Sequence, residues 1–315
     1  MIKKTVYMDK MDIHKKYDAN KKTKWVGKGR WLIFALAIFQ LAGCVKDDLY
    51  NTPHPDKGAV QVTTDWTGRS SDAVVPDSYI LRMDGKEQTV NDETNAFKSL
   101  FLPGTQNLLA YHQAEGITIS GTTATVNMLE DGTLNPMPGF LFSASKELTI
   151  QKDDTLKVTL PMMQRIRTLV LTLKLNPGDE QRIASTAATL TGIAPAVDLA
   201  TGAIISTGAK TILPAFAPGT DDGKTRATGQ PVLSATMRLL GMVAGAQQML
   251  TLEITLTNGD VQTFTTDLTE ALKNFGGDKM EPLELDATLE LPVDGNYNGE
   301  ISGWDVKDDI TIDAD

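Results

Sequence analysis

Residues 283–291 read LELDATLEL, and this spacing constrains the fold more tightly than any other feature of the chain. Leu283, Leu285, Ala287, Leu289 and Leu291 fall on one side of an extended backbone, with acidic and hydroxyl residues on the other. A helix would scatter these residues around its circumference, whereas a strand gathers them on one buried face. The same period of two recurs in residues 167–175 (Leu169, Leu171, Leu173, Leu175), in 250–256 (Leu250, Leu252, Ile254, Leu256) and in 59–66 (Val60, Val62, Thr64, Trp66). Shorter candidates are 78–83, 87–90, 107–112, 117–120, 123–128, 140–143, 155–160 and 261–266, separated by Gly, Asp and Pro. Short strands at roughly ten-residue intervals predict an all-β sandwich or barrel.

The turn chemistry agrees. Asp84-Gly85 closes the strand at 78–83, and Asn258-Gly259 predicts a type I′ hairpin with two positive-φ residues. Asp267 is placed to cap a short helix with Glu270 as its capping-box partner, Leu268, Ala271, Leu272 and Phe275 on one face, and Gly276-Gly277 as the stop. The Ala-, Thr- and Gly-rich stretch 179–216 reads as strands with wide turns, and 220–229 as a surface loop. Leu156, Val158 and Leu160 end one strand before Pro161, and the leucine strand follows almost at once. That juncture predicts two domains, 58–162 and 163–315.

The N-terminal region is of another kind. Ten of the 30 Lys and Arg residues lie in the first 30 positions, followed by the apolar run 31–43, WLIFALAIFQLAG. Thirteen residues are too few for a membrane-spanning helix, which needs roughly 20. A basic start, a short apolar run and the small residues Ala42 and Gly43 have the order of a secretory signal, residues 1–43. The basic start is long, and Met8 and Met11 are alternative initiation points. Leu41-Ala42-Gly43-Cys44 is similar to the lipobox of bacterial lipoproteins, a resemblance that implies acylation of Cys44, with palmitate among the expected groups. Cys44 is the only cysteine, so the mature chain forms no internal disulfide. A buried free thiol is the other reading of a lone cysteine. Two or three acyl chains hold a protein firmly to a bilayer, where one holds it marginally.

Residues 44–57 then read as a lipidated tether, polar and with two prolines. Within it Lys46-Asp47-Asp48 resembles the surface-export signal of lipoproteins in the Bacteroidota; the alternative is an ordinary charged linker. Three of the 40 acidic residues precede position 43, so the mature chain keeps 20 basic and 37 acidic residues, a net of −17. Such a surface repels nucleic acid and anionic lipid.

Little in the sequence points to catalysis. His14 lies in the signal, His54 in the tether and His112 in a predicted strand; no G-x-S-x-G or H-E-x-x-H motif occurs. Gly223-Lys224-Thr225 is like the end of a P-loop, but Pro218 stands where its first glycine belongs. Asp294, Asn296, Asn298 and Gly299 with Asp305 follow the spacing of a calcium loop, with the backbone carbonyl of Glu300 as a further ligand; an Asn/Gly-rich turn is the competing reading. No cofactor is expected.

The lipobox, the Lys-Asp-Asp tag, the strand ending in Asp65-Trp66, the leucine strand opening the second domain and Gly303-Trp304 together resemble the FimB-like fimbrial anchor and subunit lipoproteins of the Bacteroidota, the fimbrillin-associated anchor proteins. The resemblance implies two tandem transthyretin-like β-sandwich domains and a lipid-anchored, surface-exposed place at the outer membrane. It implies fimbrial subunits as partners, joined by strand addition. The segment 305–315, with Val306, Ile310 and Ile312 on one face, is then either a donated strand or one that closes its own sheet. A glycan- or host-ligand-binding lipoprotein on the same scaffold is the second functional class.

Overall fold

The structure is a computed structural model of the 315-residue chain and describes residues 55–206, 208–221, 229–277, 280–292 and 299–307. Cys44, Lys46, Asp47 and Asp48 lie outside the described residues, as do Asp294, Asn296 and Asn298.

The described chain is nearly all β, as its alternations require. β1 (Ala59–Asp65) buries Val60, Val62 and Thr64 and leaves the intervening residues half exposed. β2 (Tyr79–Met83) and β3 (Lys86–Val90) form a hairpin whose turn residues, Asp84 and Gly85, have φ of 50° and 69°. β4 (Thr94–Ala96) pairs antiparallel with β1. β5 (Gly104–Tyr111) is followed by the hairpin of β6 (Ile117–Ser120) and β7 (Thr123–Val126), then by β8 (Phe142–Ile150). β9 (Thr155–Pro161) runs parallel to β1, and β10 (Met163–Gln164) is a short edge beside β8.

β11 (Arg167–Lys174) buries Leu169, Leu171 and Leu173 completely, with Leu175 just beyond it. A single 3-10 turn, Asp179–Arg182, leads into β12 (Ile183–Ile193), β13 (Ala196–Asp198), β14 (Ile204–Ile205), β15 (Lys210–Ile212) and β16 (Ala217–Asp221). β17 (Gln230–Leu239), β18 (Met249–Leu256) and β19 (Val261–Asp267) precede the helical turn α1 (Thr269–Leu272). β20 (Leu283–Glu290) and β21 (Glu300–Val306) end the described chain.

These strands build five sheets, ordered β4-β1-β9, β10-β8-β5-β2-β3, β16-β17-β11-β20-β21, β15-β12-β18-β19 and β14-β13-β7-β6. One core is made wholly from residues between Val60 and Met162. A second is centred on the leucines of β11, β18 and β20. β5 serves both: Leu108 and Ala110 face the first, Leu109 and Tyr111 the second. A strand covered on two faces reads as a continuous apolar run, which is why LLAY does not alternate. In the fifth sheet, β7 pairs with β13, matching Thr125 to Ala196, and so crosses position 162/163.

Two local expectations are corrected. Only Gly259 of the Asn258-Gly259 pair has positive φ, 91°. The Asn258 side chain instead accepts the Asp260 N–H at 3.0 Å and Gly259 N–H donates to the Leu256 carbonyl at 2.9 Å, a three-residue loop that needs left-handed backbone at the glycine alone. The capping box does not form either. The Asp267 carboxylate accepts the Thr269 N–H at 2.8 Å, while Glu270 pairs with Lys273 at 2.9 Å and does not turn back to the chain entry. Leu268, Leu272 and Phe275 are nonetheless buried as the apolar face requires.

Candidate functional site

Beside Tyr79, the 74–78 loop and the ends of β2, β3 and β5 enclose an open pocket of about 590 Å³, lined by Val74, Tyr79, Thr89, His112, Gln113 and Phe140 among others. His112 is held from two sides: its N–H donates to the Phe142 carbonyl at 3.1 Å, and its Nδ1 lies 3.1 Å from the Phe140 carbonyl. A carbonyl only accepts, so Nδ1 carries the proton. Burial pushes the imidazole pKa below its ordinary value, with the Phe140 bond working the other way. Among the described residues the ring bonds to no hydroxyl or carboxylate, so no nucleophile–base pair is built here.

A pH prediction follows from this burial. The folded protein favours neutral His112, so the stability this contributes is complete above the unfolded pKa of about 6.5 and is lost as pH falls below it toward the lowered folded value. Thermal melts between pH 7.5 and 5 (roughly spanning the titration) should show wild type losing more than His112→Gln. Equal losses would remove the histidine from the acid response.

The two tryptophans in the mature chain are already engaged. Trp66 stacks edge-on against Tyr79 (5.6 Å) and Phe142 (5.4 Å), and its Nε1 donates to Thr64 Oγ1 at 2.9 Å. Trp304, partly buried, donates to Thr266 Oγ1 at 3.1 Å. Both rings are partly buried, and the indole N–H of each is satisfied within the protein. Among the described residues no group of three or more His, Cys, Asp or Glu is placed to hold a metal ion. Glu300 and Asp305, from the candidate calcium loop, stand at opposite ends of the extended β21. Across the ladder they stand opposite Glu290 and Asp286, four residues apart on β20, so about 13 Å separates their backbones, too far for one ion to take both.

Polar groups that sequence reasoning passed over fasten the two cores together. Ser70 N–H and Oγ reach Gln164 Oε1 at 2.9 and 3.0 Å, Thr168 Oγ1 donates to Asp72 at 2.6 Å, and the Ser71 N–H and hydroxyl bind the Glu281 carboxylate. Arg167 donates to the carbonyls of Phe275 and Glu281, and Arg165 Nε to Ser143 Oγ at 2.8 Å. Burial lowers the pKa of both guanidiniums, against the pull of Glu281 on Arg167 and Asp198 on Arg165. Apart from Arg165 and Ser143, these partners lie about a hundred or more residues apart and leave no local trace in a sequence.

What the described fold offers a macromolecule is sheet edge. β3, β9, β16, β19 and β21 each end a sheet. The first part of the segment 305–315 closes its own sheet, since Asp305 and Val306 pair with Asp286 and Leu285; residues 308–315 lie outside the described residues.

The described residues form an all-β architecture of several sheets with open edge strands, a class of fold that serves many functions. The chain belongs to the family of fimbrillin-A associated anchor proteins Mfa1 and Mfa2, whose model matches residues 49–313. Among solved structures it is similar to the fimbrial anchor protein Mfa2 from Porphyromonas gingivalis, at 9% identity and TM-score 0.55 over 79% of this chain and 97% of that one. It is similar also to a candidate adhesin from Bacteroides ovatus, at 16% identity and TM-score 0.55 over 82% and 95%. A third is a candidate polysaccharide-binding protein from Bacteroides thetaiotaomicron, at 12% identity and TM-score 0.52 over 80% and 98%. No curated protein sequence matches. At these identities the structures establish a shared fold.

Proposed function

We propose that this chain is a cell-surface lipoprotein that anchors a fimbrium or serves as its accessory subunit. Acyl groups on Cys44 hold it to the outer membrane, Lys46-Asp47-Asp48 directs it to the outer face, and 44–57 is the tether to two β modules, 58–162 and 163–315. It meets fimbrial subunits by β-strand addition, in which a partner's extended segment pairs with an exposed edge. The observation that carries this reading is the family match over nearly all of the mature chain. The net charge of −17 after the signal argues against nucleic acid as a partner. Fimbriae extracted in detergent and purified by size should contain the protein; its absence from them would refute the role.

A second reading, binding of a surface glycan or host ligand, draws on the pocket at His112 and on the adhesin and polysaccharide-binding descriptions of similar structures. The engaged Trp66 and Trp304 rings weigh against it. Retention on a glycan array that is lost in His112→Ala would favour it.

A further inference from the structure

The two halves of the protein open with the same device. In the first, β1 runs parallel to β9 with Val60, Val62 and Thr64 opposite Leu156, Val158 and Leu160. In the second, β11 runs parallel to β20 with Leu169, Leu171 and Leu173 opposite Leu283, Leu285 and Ala287. Rung for rung, Lys157 therefore corresponds to Glu284 and Thr159 to Asp286.

The outer sides of these equivalent strands differ. On β20, the Glu284 carbonyl accepts the Lys307 N–H at 3.0 Å, and β21 runs antiparallel along the whole edge. On β9 no strand follows among the described residues. Main-chain groups of one strand residue point to the same side and those of the next to the other. The Asp154 carbonyl and the Met162 N–H both bond to β1, so the even-numbered residues face β1 and the odd-numbered ones face outward. The Thr159 carbonyl, which takes only the Lys146 ammonium at 3.4 Å, agrees. Asp154 occupies the Thr155 N–H at 2.7 Å, and Pro161 has none to offer. Among the described residues, the Thr155 carbonyl, both main-chain groups of Lys157, the N–H of Thr159 and the Pro161 carbonyl have no main-chain partner.

We propose that this outer edge of β9 receives an extended segment of a fimbrial subunit as an antiparallel strand, in the place that β21 takes in the second half. The proposal rests on the anchor reading above and names the edge through which anchoring occurs. Charge selects the occupant. Exposed Asp153 and Asp154 stand at the start of the edge, while Lys157 lies in its middle and the Lys146 ammonium reaches the Thr159 carbonyl beyond, so the added strand carries acidic side chains opposite 157–159 and none opposite 153–154. A lysine keeps an uncovered edge from pairing indiscriminately; an acidic strand turns that same charge into attraction. Met163, half exposed on the edge strand β10 of the neighbouring sheet, gives an inward-facing apolar residue of the partner something to cover.

Lys157→Pro tests this, because it deletes an outward N–H that makes no bond to β1 and should leave the melting temperature near that of wild type. Lys157→Glu reverses the charge and keeps the backbone. Fimbriae extracted in detergent from cells displaying each form are purified by size and blotted for the protein. Both variants should reduce recovery roughly tenfold relative to wild type, about the effect of one main-chain hydrogen bond or one close charge pair. Wild-type recovery of both variants would overturn the β9 assignment while leaving the anchor reading intact. Absence of the wild-type protein would overturn the anchor reading and the edge with it. Should the proline variant unfold, Lys157→Glu carries the test together with amide exchange, since the 157 and 159 N–H groups should exchange more slowly in the purified fimbriae than in the isolated protein. Protection of those amides in the isolated protein that rises with its concentration would make a second copy the occupant and overturn the assignment to a fimbrial subunit.

Discussion

Cys44→Ala is expected to abolish surface display, leaving unprocessed precursor in the cell. The apolar run at 31–43 is too short to hold the chain across a bilayer as a helix, and no helix among the described residues is long and apolar enough to do so. On the proposed reading, anchorage falls to acyl chains on the Cys44 sulfur, each contributing about 0.8 kcal/mol per buried methylene. A serine at 44 would fail in the same way, since the acyl group is transferred to a thiol. Surface labelling of intact cells, with mass spectrometry of the mature N-terminus, measures both halves of the expectation. Normal display of Cys44→Ala, or an unmodified thiol on the wild-type protein, would sink the lipid anchor.

The second large effect is expected at Gly192. Its φ is 80°, and a Cβ there would stand 2.5 Å from Gln248 Nε2 and 2.6 Å from the Gln247 carbonyl. A flexible amide can swing away; a backbone carbonyl cannot. The Gly192 carbonyl also accepts the Val243 N–H at 3.0 Å, so the strand cannot shift without losing that bond. Left-handed strain and overpacking each cost about 1–3 kcal/mol, and Gly192→Ala should lose about 3 kcal/mol in all, roughly 6–12 °C in Tm for a domain of this size. Gly245→Ala is the control, because φ there is 76° but nothing lies within 4 Å of the added carbon. It should lose about 1 kcal/mol, the strain alone. Equal losses at the two positions would show that crowding at Gly192 contributes nothing.

How far the fold could be read in advance depended on how many faces of a strand are buried. β1, β11, β18 and β20 each put one face in a core, and their alternation placed them nearly residue by residue. β8 was read only at its first residues. Ser143 and Ala144 are buried on successive positions, while Ser145, Lys146 and Glu147 are exposed on successive positions, so the period of two is lost midway although the pairing with β5 continues. β17 lies between β11 and β16 in its sheet, yet its sequence carries a weak strand signal. It begins at Gln230-Pro231, and its alternation of Leu233, Ala235, Met237 and Leu239 with Ser234, Thr236 and Arg238 is diluted by small side chains. The Asn258-Gly259 turn was placed correctly but assigned the wrong type, because asparagine can satisfy a turn with its side chain as well as with its own backbone.

The candidate sites divide differently. Cys44 and the Lys-Asp-Asp tag rest on linear spacing, which a sequence displays openly. The β9 edge rests on strand order. Nothing in Thr155–Pro161 distinguishes an edge strand from a central one except Lys157 and Pro161. That β1 and β9 run parallel, and that β20 has an outer neighbour where β9 has none, are relations between distant segments.

The rungs joining β7 to β13 have a mechanical meaning for a chain pulled from its two ends. Thr123, Ala124 and Thr125 pair with Asp198, Val197 and Ala196, so the peptide between the two cores is bypassed by a hydrogen-bonded bridge. Tension along the chain cannot draw out residues 162–166 until that bridge and the Arg165 and Gln164 contacts beside it give way. Drawn between residues 58 and 306, the protein should therefore yield abruptly and late, as a stiff link would, and not lengthen gradually like a pair of beads on a string.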